Sequence, residues 1–151
     1  VLAFISMKLL RLSLLLWLLF GAESDGRAAS DLAIAIVVAK ASNIESISKR
    51  ELVDVYMGRF EVLESGHKVK PVDYESGSDL RTLFYKSLVN KSERQINAYW
   101  SRLIFSGRAK PPLQVSSPEQ SLAYLRRNQS ALAYMPVERV SEEMKIVLVL
   151  E

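Results

Sequence analysis

The chain has 151 residues, of which 49% are hydrophobic and 25% are charged, and its formal net charge is +3. This length suits one globular domain with a hydrophobic core of its own. The sequence contains no cysteine, which excludes disulfide cross-links and thiol chemistry. Because the net charge is small and the sequence has no cluster of five or more basic residues, nothing in it favours nucleic-acid binding.

Residues 1–29 have the pattern of a secretory signal peptide. Lys8 and Arg11 precede the apolar run LSLLLWLLF at residues 12–20, and small residues follow it. The run is about half the length of the ~20 residues that a membrane-spanning helix needs. A cleaved signal peptide is therefore the main expectation, and an uncleaved membrane anchor is the minority alternative.

The signal peptide also sets the bounds of the mature domain. Residues 1–6, upstream of Met7, fit no part of a signal peptide and indicate a start codon assigned too early. Cleavage near Ala29 leaves a domain of residues 30–151, with 17 basic and 15 acidic side chains and a net charge of +2. Its fold has to be stabilised by the hydrophobic core alone.

The first half of the mature domain alternates strand and helix. The run LAIAIVV at residues 32–38 is continuously apolar and of strand length, which predicts a central strand buried on both faces. A capping box formed by Ser48 and Glu51 predicts a short helix over residues 49–57. A second strand is expected over residues 69–73, and Pro71 within it favours an edge or irregular strand.

Three further helices are predicted after serines that are followed three residues later by Asp or Gln. These N-cap residues are Ser76, Ser92 and Ser117. Two strands then close the chain, at residues 131–135 and 145–150. The expected architecture is α/β, with a mixed sheet of about four or five strands packed with about four helices.

The turn Ser76, Gly77 and Ser78 is the first candidate binding site. A helix start presents unpaired backbone N–H groups and the positive end of the helix dipole, and two hydroxyls add to these donors. Glu75 and Asp79 flank the turn, however, and their charges repel an anion. A serine at a helix start is also explained as an N-cap, so both interpretations stay open.

No catalytic or metal-binding set of residues is evident. His67 is the only histidine and lies in the predicted turn Ser65, Gly66, His67, so a transition-metal site would need carboxylates alone. The sequence has no G-x-S-x-G nucleophile elbow and no acid and base paired by spacing. We therefore expect a protein that is not an enzyme and that needs no metal or cofactor.

Aromatic and basic side chains in and after the third helix are further candidates. Tyr99, Trp100 and Phe105 are either a stacking surface or, for the first two, part of the core. Arg102 and Arg108 either supply positive charge to a cleft or complement the negative end of the helix.

Several segments together resemble the phosphate-binding proteins of ABC transporters, and in particular the short single-lobe chains of this kind in Gram-negative bacteria. The segments are ELVDVYMGR (51–59), PVDYESGSDLRTLFY (71–85), Trp100, SGR (106–108) and ALAYM (131–135). The resemblance implies one lobe of a type II periplasmic binding protein-like fold, a periplasmic location and a phosphate or other small oxyanion as ligand. If the chain binds such a ligand, we expect the ligand groups to be Ser76, Gly77 and Ser78, with Arg81 or Arg108 as charge partners.

Two departures from that family leave two functional hypotheses. Val72 stands where the relatives have an arginine that pairs with phosphate, and the mature chain is long enough for about one of two lobes. The first hypothesis is a solute-binding-like protein with weak oxyanion binding. The second is a non-enzymatic interaction or accessory module that has lost phosphate binding and has a periplasmic or membrane protein as partner.

Overall fold

The computed structural model describes residues 33–151, so the predicted signal peptide and residues 1–6 before Met7 lie outside it. The described part contains five strands, four α-helices and a 3-10 turn at Val137–Arg139. In chain order the elements are β1 (Ile34–Ala39), α1 (Lys49–Tyr56), β2 (Lys70–Tyr74), α2 (Asp79–Val89), α3 (Glu93–Phe105), β3 (Leu113–Val115), α4 (Pro118–Arg127), β4 (Ala131–Pro136) and β5 (Met144–Leu150).

The strands form one mixed sheet in the order β3-β2-β4-β1-β5. β2 runs parallel to β3 and β4, whereas β1 runs antiparallel to β4 and β5. All six residues of β1 are buried, which confirms the central strand expected from the continuous apolar run. The α/β architecture predicted from the sequence is confirmed, and no helix within residues 33–151 is long and apolar enough to cross a membrane.

Of the two alternatives that Pro71 suggested, the edge strand is wrong, because β2 lies between β3 and β4. The pairing of β2 is uneven, however, because it pairs with β4 at Lys70 and Pro71, and hydrogen bonding between β2 and β3 begins only at Val72. The backbone N–H that Pro71 lacks is therefore not required for pairing on the β3 side of the strand. β3 itself was not predicted. It has three residues, Leu113–Val115, which is too short to show a period of two.

An aromatic cluster holds the sheet to the helices. Phe84 of α2 stacks on Tyr134 of β4, with 3.7 Å between ring centroids. The hydroxyl of Tyr56 from α1 lies 3.0 Å from the carbonyl oxygen of Val72 and 3.2 Å from that of Leu132. These carbonyls belong to β2 and β4, so the tyrosine satisfies polar groups at the point where the pairing of the two strands ends.

The N-cap of α2 is Ser78, and the prediction that Ser76 has this role is wrong. The Ser78 Oγ accepts a hydrogen bond of 3.4 Å from the backbone N–H of Arg81, and Asp79 is the first helical residue. Gly77 has φ +92°, a conformation that favours glycine. Ser76 and Gly77 therefore form a turn ahead of the helix, and their polar groups point to other partners.

Candidate anion-binding site

A buried acid at the end of β2 positions the turn that follows it. Asp73 is 2% exposed, and its carboxylate accepts hydrogen bonds from Tyr134 Oη at 2.6 Å, Tyr85 Oη at 2.9 Å and Arg81 Nε at 3.1 Å. These donors come from β4 and α2. The network therefore ties the end of β2 to both elements. It thereby also fixes the position at which the turn of residues 75–78 begins.

Arg81 is buried to the same degree as its acidic partner. Burial lowers the pKa of its guanidinium, but the charge of Asp73 and the hydrogen bond to it outweigh burial and hold this pKa above its ordinary value. Burial and the same negative charge raise the pKa of Tyr85 and of Tyr134. The arginine thus stays cationic, and both tyrosines stay hydrogen-bond donors.

The Ser76–Gly77 turn binds a carboxylate that belongs to the chain itself. The Gly77 N–H donates to Glu93 Oε1 at 2.6 Å, Ser76 Oγ donates to the same oxygen at 3.0 Å, and Arg81 Nη1 donates to it at 3.0 Å. Asn97 completes the arrangement, because its amide donates to Ser76 Oγ at 2.8 Å and accepts from Arg81 Nη1 at 3.0 Å. One backbone N–H, one hydroxyl and one guanidinium converge on a single anionic oxygen.

This environment favours the ionised form of Glu93. The hydrogen bond from the Gly77 N–H, followed by those from Ser76 and Arg81, holds the pKa of the Glu93 carboxyl below its usual range. The side chain is 23% exposed, so solvent reaches the carboxylate. The donors therefore form an anion-binding site that is open to water on one side and filled by an internal anion.

The structure brings together some of the predicted ligand residues and separates others. Ser76, Gly77 and Arg81 meet at one point, whereas the Ser78 hydroxyl caps α2 instead of facing the same anion. Arg108 follows the other end of α3 and lines a separate groove. Its predicted role as a charge partner of this turn is therefore not supported by its position.

Glu93 and Asn97 were missed by the sequence reasoning. Glu93 directly follows the N-cap Ser92, where an acidic residue is expected for helix stability alone. Only the packing of α3 beside the turn reveals the contact. Val72 is buried in the core, so the guanidinium in this site comes instead from Arg81 on α2.

The remaining candidates lie in different environments. His67 Nδ1 lies 3.0 Å from Ser65 Oγ within their turn. Trp100 is buried and Tyr99 is partly buried, but Phe105 is 94% exposed, so the three do not form one stacking surface. Arg102 is exposed in the last turn of α3. Within residues 33–151, no group of three or more histidine, aspartate or glutamate side chains could hold a metal ion.

The five-stranded mixed sheet and its four helices form an α/β fold of the kind expected for one lobe of a phosphate-binding protein. Comparison with solved structures confirms this fold. The chain is similar to an ABC-type phosphate transport receptor from Vibrio cholerae, with TM-score 0.60 and 18% identity over 76% of this chain and 45% of that one.

Two other structures give the same result. One is provisionally assigned as a phosphate ABC transporter substrate-binding protein from Clostridium perfringens and contains bound phosphate; its TM-score is 0.59 at 14% identity, over 78% of this chain and 45% of that one. The other is provisionally assigned as a phosphate-binding protein from Planctomyces limnophilus, with TM-score 0.56 and 12% identity over 76% of this chain and 40% of that one. Our chain thus spans less than half the length of these proteins, and identities this low establish the fold alone. No family model and no curated protein matches the sequence.

Proposed function

We propose that this chain is a non-enzymatic, exported solute-binding-like protein whose Ser76–Gly77 turn takes a small oxyanion, phosphate or sulfate, in place of the Glu93 carboxylate. The observation that carries the proposal is the convergence of three donors, from Gly77, Ser76 and Arg81, on one carboxylate oxygen. Donors that stabilise a carboxylate oxygen stabilise the oxygen of a tetrahedral oxyanion in the same way. The phosphate bound in the structurally similar protein from Clostridium perfringens supports this choice of ligand.

Binding at this site is expected to be weak. A ligand has to displace the Glu93 carboxylate. Because Glu93 belongs to the same chain as the donors, its carboxylate is present at a high effective concentration at the site. The positive charge of Arg81 is already balanced by the buried Asp73, 3.1 Å away. The site is also open to solvent, which screens charge. We therefore expect a dissociation constant on the order of millimolar, since a tethered group competes at a comparable effective concentration.

Isothermal titration of the purified protein with phosphate, with sulfate and with chloride as control tests the proposal. We expect saturable heat with both oxyanions at millimolar concentration, and none with chloride. If neither the native protein nor Glu93→Ala gives saturable heat at tens of millimolar phosphate, the proposed ligand class is wrong.

The second candidate function is an interaction or accessory module that has lost phosphate binding. The internal carboxylate in the site favours it, because a permanently filled site binds no solute. Absence of oxyanion binding in the native protein, together with clear binding by Glu93→Ala, supports this alternative.

Export to the periplasm is part of both proposals and rests on the sequence of residues 1–29. Expression in a Gram-negative host followed by N-terminal sequencing tests it. A mature protein that begins at Ala29, Ser30 or Asp31 and is released with the periplasmic fraction is the expected result. Retention of residues 1–29 on a membrane-bound protein contradicts it.

A further inference from the structure

A groove of about 480 Å³ lies at the other end of the lobe from the anion-binding site. Lys70 and Pro71, at the start of β2, line it, whereas the Ser76 turn follows the end of that strand. Trp100, in the middle of α3, and Arg108, just beyond its C-terminal end, also line it, whereas Glu93 begins that helix. A strand of this length spans roughly 17 Å and a helix of this length roughly 20 Å, so the two sites are spatially independent.

Three exposed cations in this groove have no acidic partner among the described residues. They are Lys70, Arg108 and Lys110, and none of them makes an ion pair with another residue in the range 33–151. Like charges brought together on one concave surface raise the local positive potential and attract an anionic partner. The groove therefore carries an uncompensated positive charge of three.

The other charged groups of the groove do not cancel this charge. Arg59 is paired with Asp54 at 3.0 Å, and Lys68 is paired with Glu61 at 3.5 Å. Glu61 is the acidic residue of the lining, and it is already engaged by that lysine. The net charge of the lining is thus strongly positive although the whole domain is close to neutral.

The surface between the cations is apolar. Trp100 and Pro112 are buried beneath the groove, whereas Phe60 and Leu113 on its walls are 63% and 46% exposed. Gly58 has φ +67°, and a Cβ there would lie 2.6 Å from the Trp100 ring, so glycine permits this close packing under the groove. Exposed aromatic side chains and arginine are enriched at protein interfaces, and Phe60 and Arg108 are of these types.

We propose that this groove binds an acidic, extended peptide segment of a partner protein. Its carboxylates pair with Lys70, Arg108 and Lys110, and an apolar side chain packs between Phe60 and Leu113. β3 lies at the edge of the sheet, and its first residue is on the groove wall, so an extended segment also meets unpaired backbone groups. The concave shape favours a peptide over a membrane, since a flat bilayer surface does not enter a groove.

Fluorescence anisotropy with a labelled peptide of about ten residues that alternates aspartate or glutamate with leucine tests this proposal. The charge-reversed variant is Lys70→Glu, Arg108→Glu, Lys110→Glu. A matched control reverses three exposed lysines outside the groove and without ion pairs among the described residues: Lys40→Glu, Lys86→Glu, Lys91→Glu. A third variant, Phe60→Ser, removes only apolar contact area. Phosphatidylglycerol vesicles are the competing probe.

We expect the native protein to bind the acidic peptide, to lose at least about tenfold in affinity when the groove charges are reversed, and to weaken in about 0.5 M salt. The control reversal should change the affinity by less than about threefold through its long-range charge, and Phe60→Ser should weaken binding at unchanged salt dependence. No binding of the peptide, or equal losses in the two charge-reversed variants, overturns the proposal. Binding to vesicles that the groove reversal abolishes, without peptide binding, assigns the surface to an anionic membrane instead.

Discussion

Removal of the Glu93 carboxylate is expected to strengthen phosphate binding. In the native protein this group accepts hydrogen bonds from Gly77 at 2.6 Å and from Ser76 and Arg81 at 3.0 Å. A single hydrogen bond to a charged group contributes about 1.5–3 kcal/mol net when it is shielded from water. Because the Glu93 carboxylate is partly exposed and its side chain has to be ordered, we take about 2 kcal/mol for the three contacts together. If the state with Glu93 bound in the turn is favoured by about 2 kcal/mol over the state with Glu93 released, the turn is free in about one molecule in 30. The apparent affinity for phosphate is then reduced about 30-fold.

Glu93→Ala and Glu93→Gln are the two variants for this test, measured by isothermal titration with phosphate near pH 7. Alanine should lower the apparent dissociation constant about 30-fold, and glutamine should give a smaller gain because its neutral amide still occupies the site. Glu142→Gln is the matched control, since Glu142 is exposed and makes no ion pair with another described residue. An unchanged dissociation constant in Glu93→Ala refutes the idea that the carboxylate competes with the ligand.

Three further predictions concern stability. Arg81→Met should lower the free energy of unfolding by about 3 kcal/mol in a denaturant titration, because it leaves the buried Asp73 without its cation; a loss below about 1 kcal/mol contradicts this. Because the pKa of Glu93 is lowered from its ordinary 4.5, its ionised form stabilises the fold above that pH, and the stabilisation is lost as the pH falls through the lowered pKa. The stability gap between the native protein and Glu93→Gln should therefore be full at neutral pH and shrink as the pH falls below 4.5, and a gap that widens contradicts it. Gly58→Ala should melt lower than Gly66→Ala, because both glycines have positive φ but only the first has the α3 tryptophan ring against it; equal melting temperatures contradict this.

The fold could be predicted because its main signals are local. The continuous apolar run of β1, the serine caps at Ser48, Ser92 and Ser117, and the closing strands all follow from short-range pattern, and the structure confirms each. β3 and the interior position of Pro71 were missed because strand order is a non-local property. A strand of three residues, such as β3, and a single proline, such as Pro71, give too little sequence pattern to show which strands are neighbours.

The candidate site could be predicted only in part, for a related reason. The Ser76–Gly77 turn was found because a serine-glycine sequence before a helix is a local signal. The occupant was not found, because Glu93 lies 16 residues after Gly77 and has the ordinary sequence position of a first-turn acid. The cation was predicted at two alternative positions, and packing selected Arg81 through the buried Asp73.

The backbone N–H resonance of Gly77 in a phosphate titration followed by NMR tests the central claim, that this turn is an exchangeable anion-binding site. The account predicts a saturable shift of this resonance at the concentration at which heat is released, with the Arg81 side-chain Nε–H shifting in parallel and the Gly66 amide unchanged. A Gly77 resonance that stays constant to tens of millimolar phosphate, in the native protein and in Glu93→Ala alike, would contradict the account.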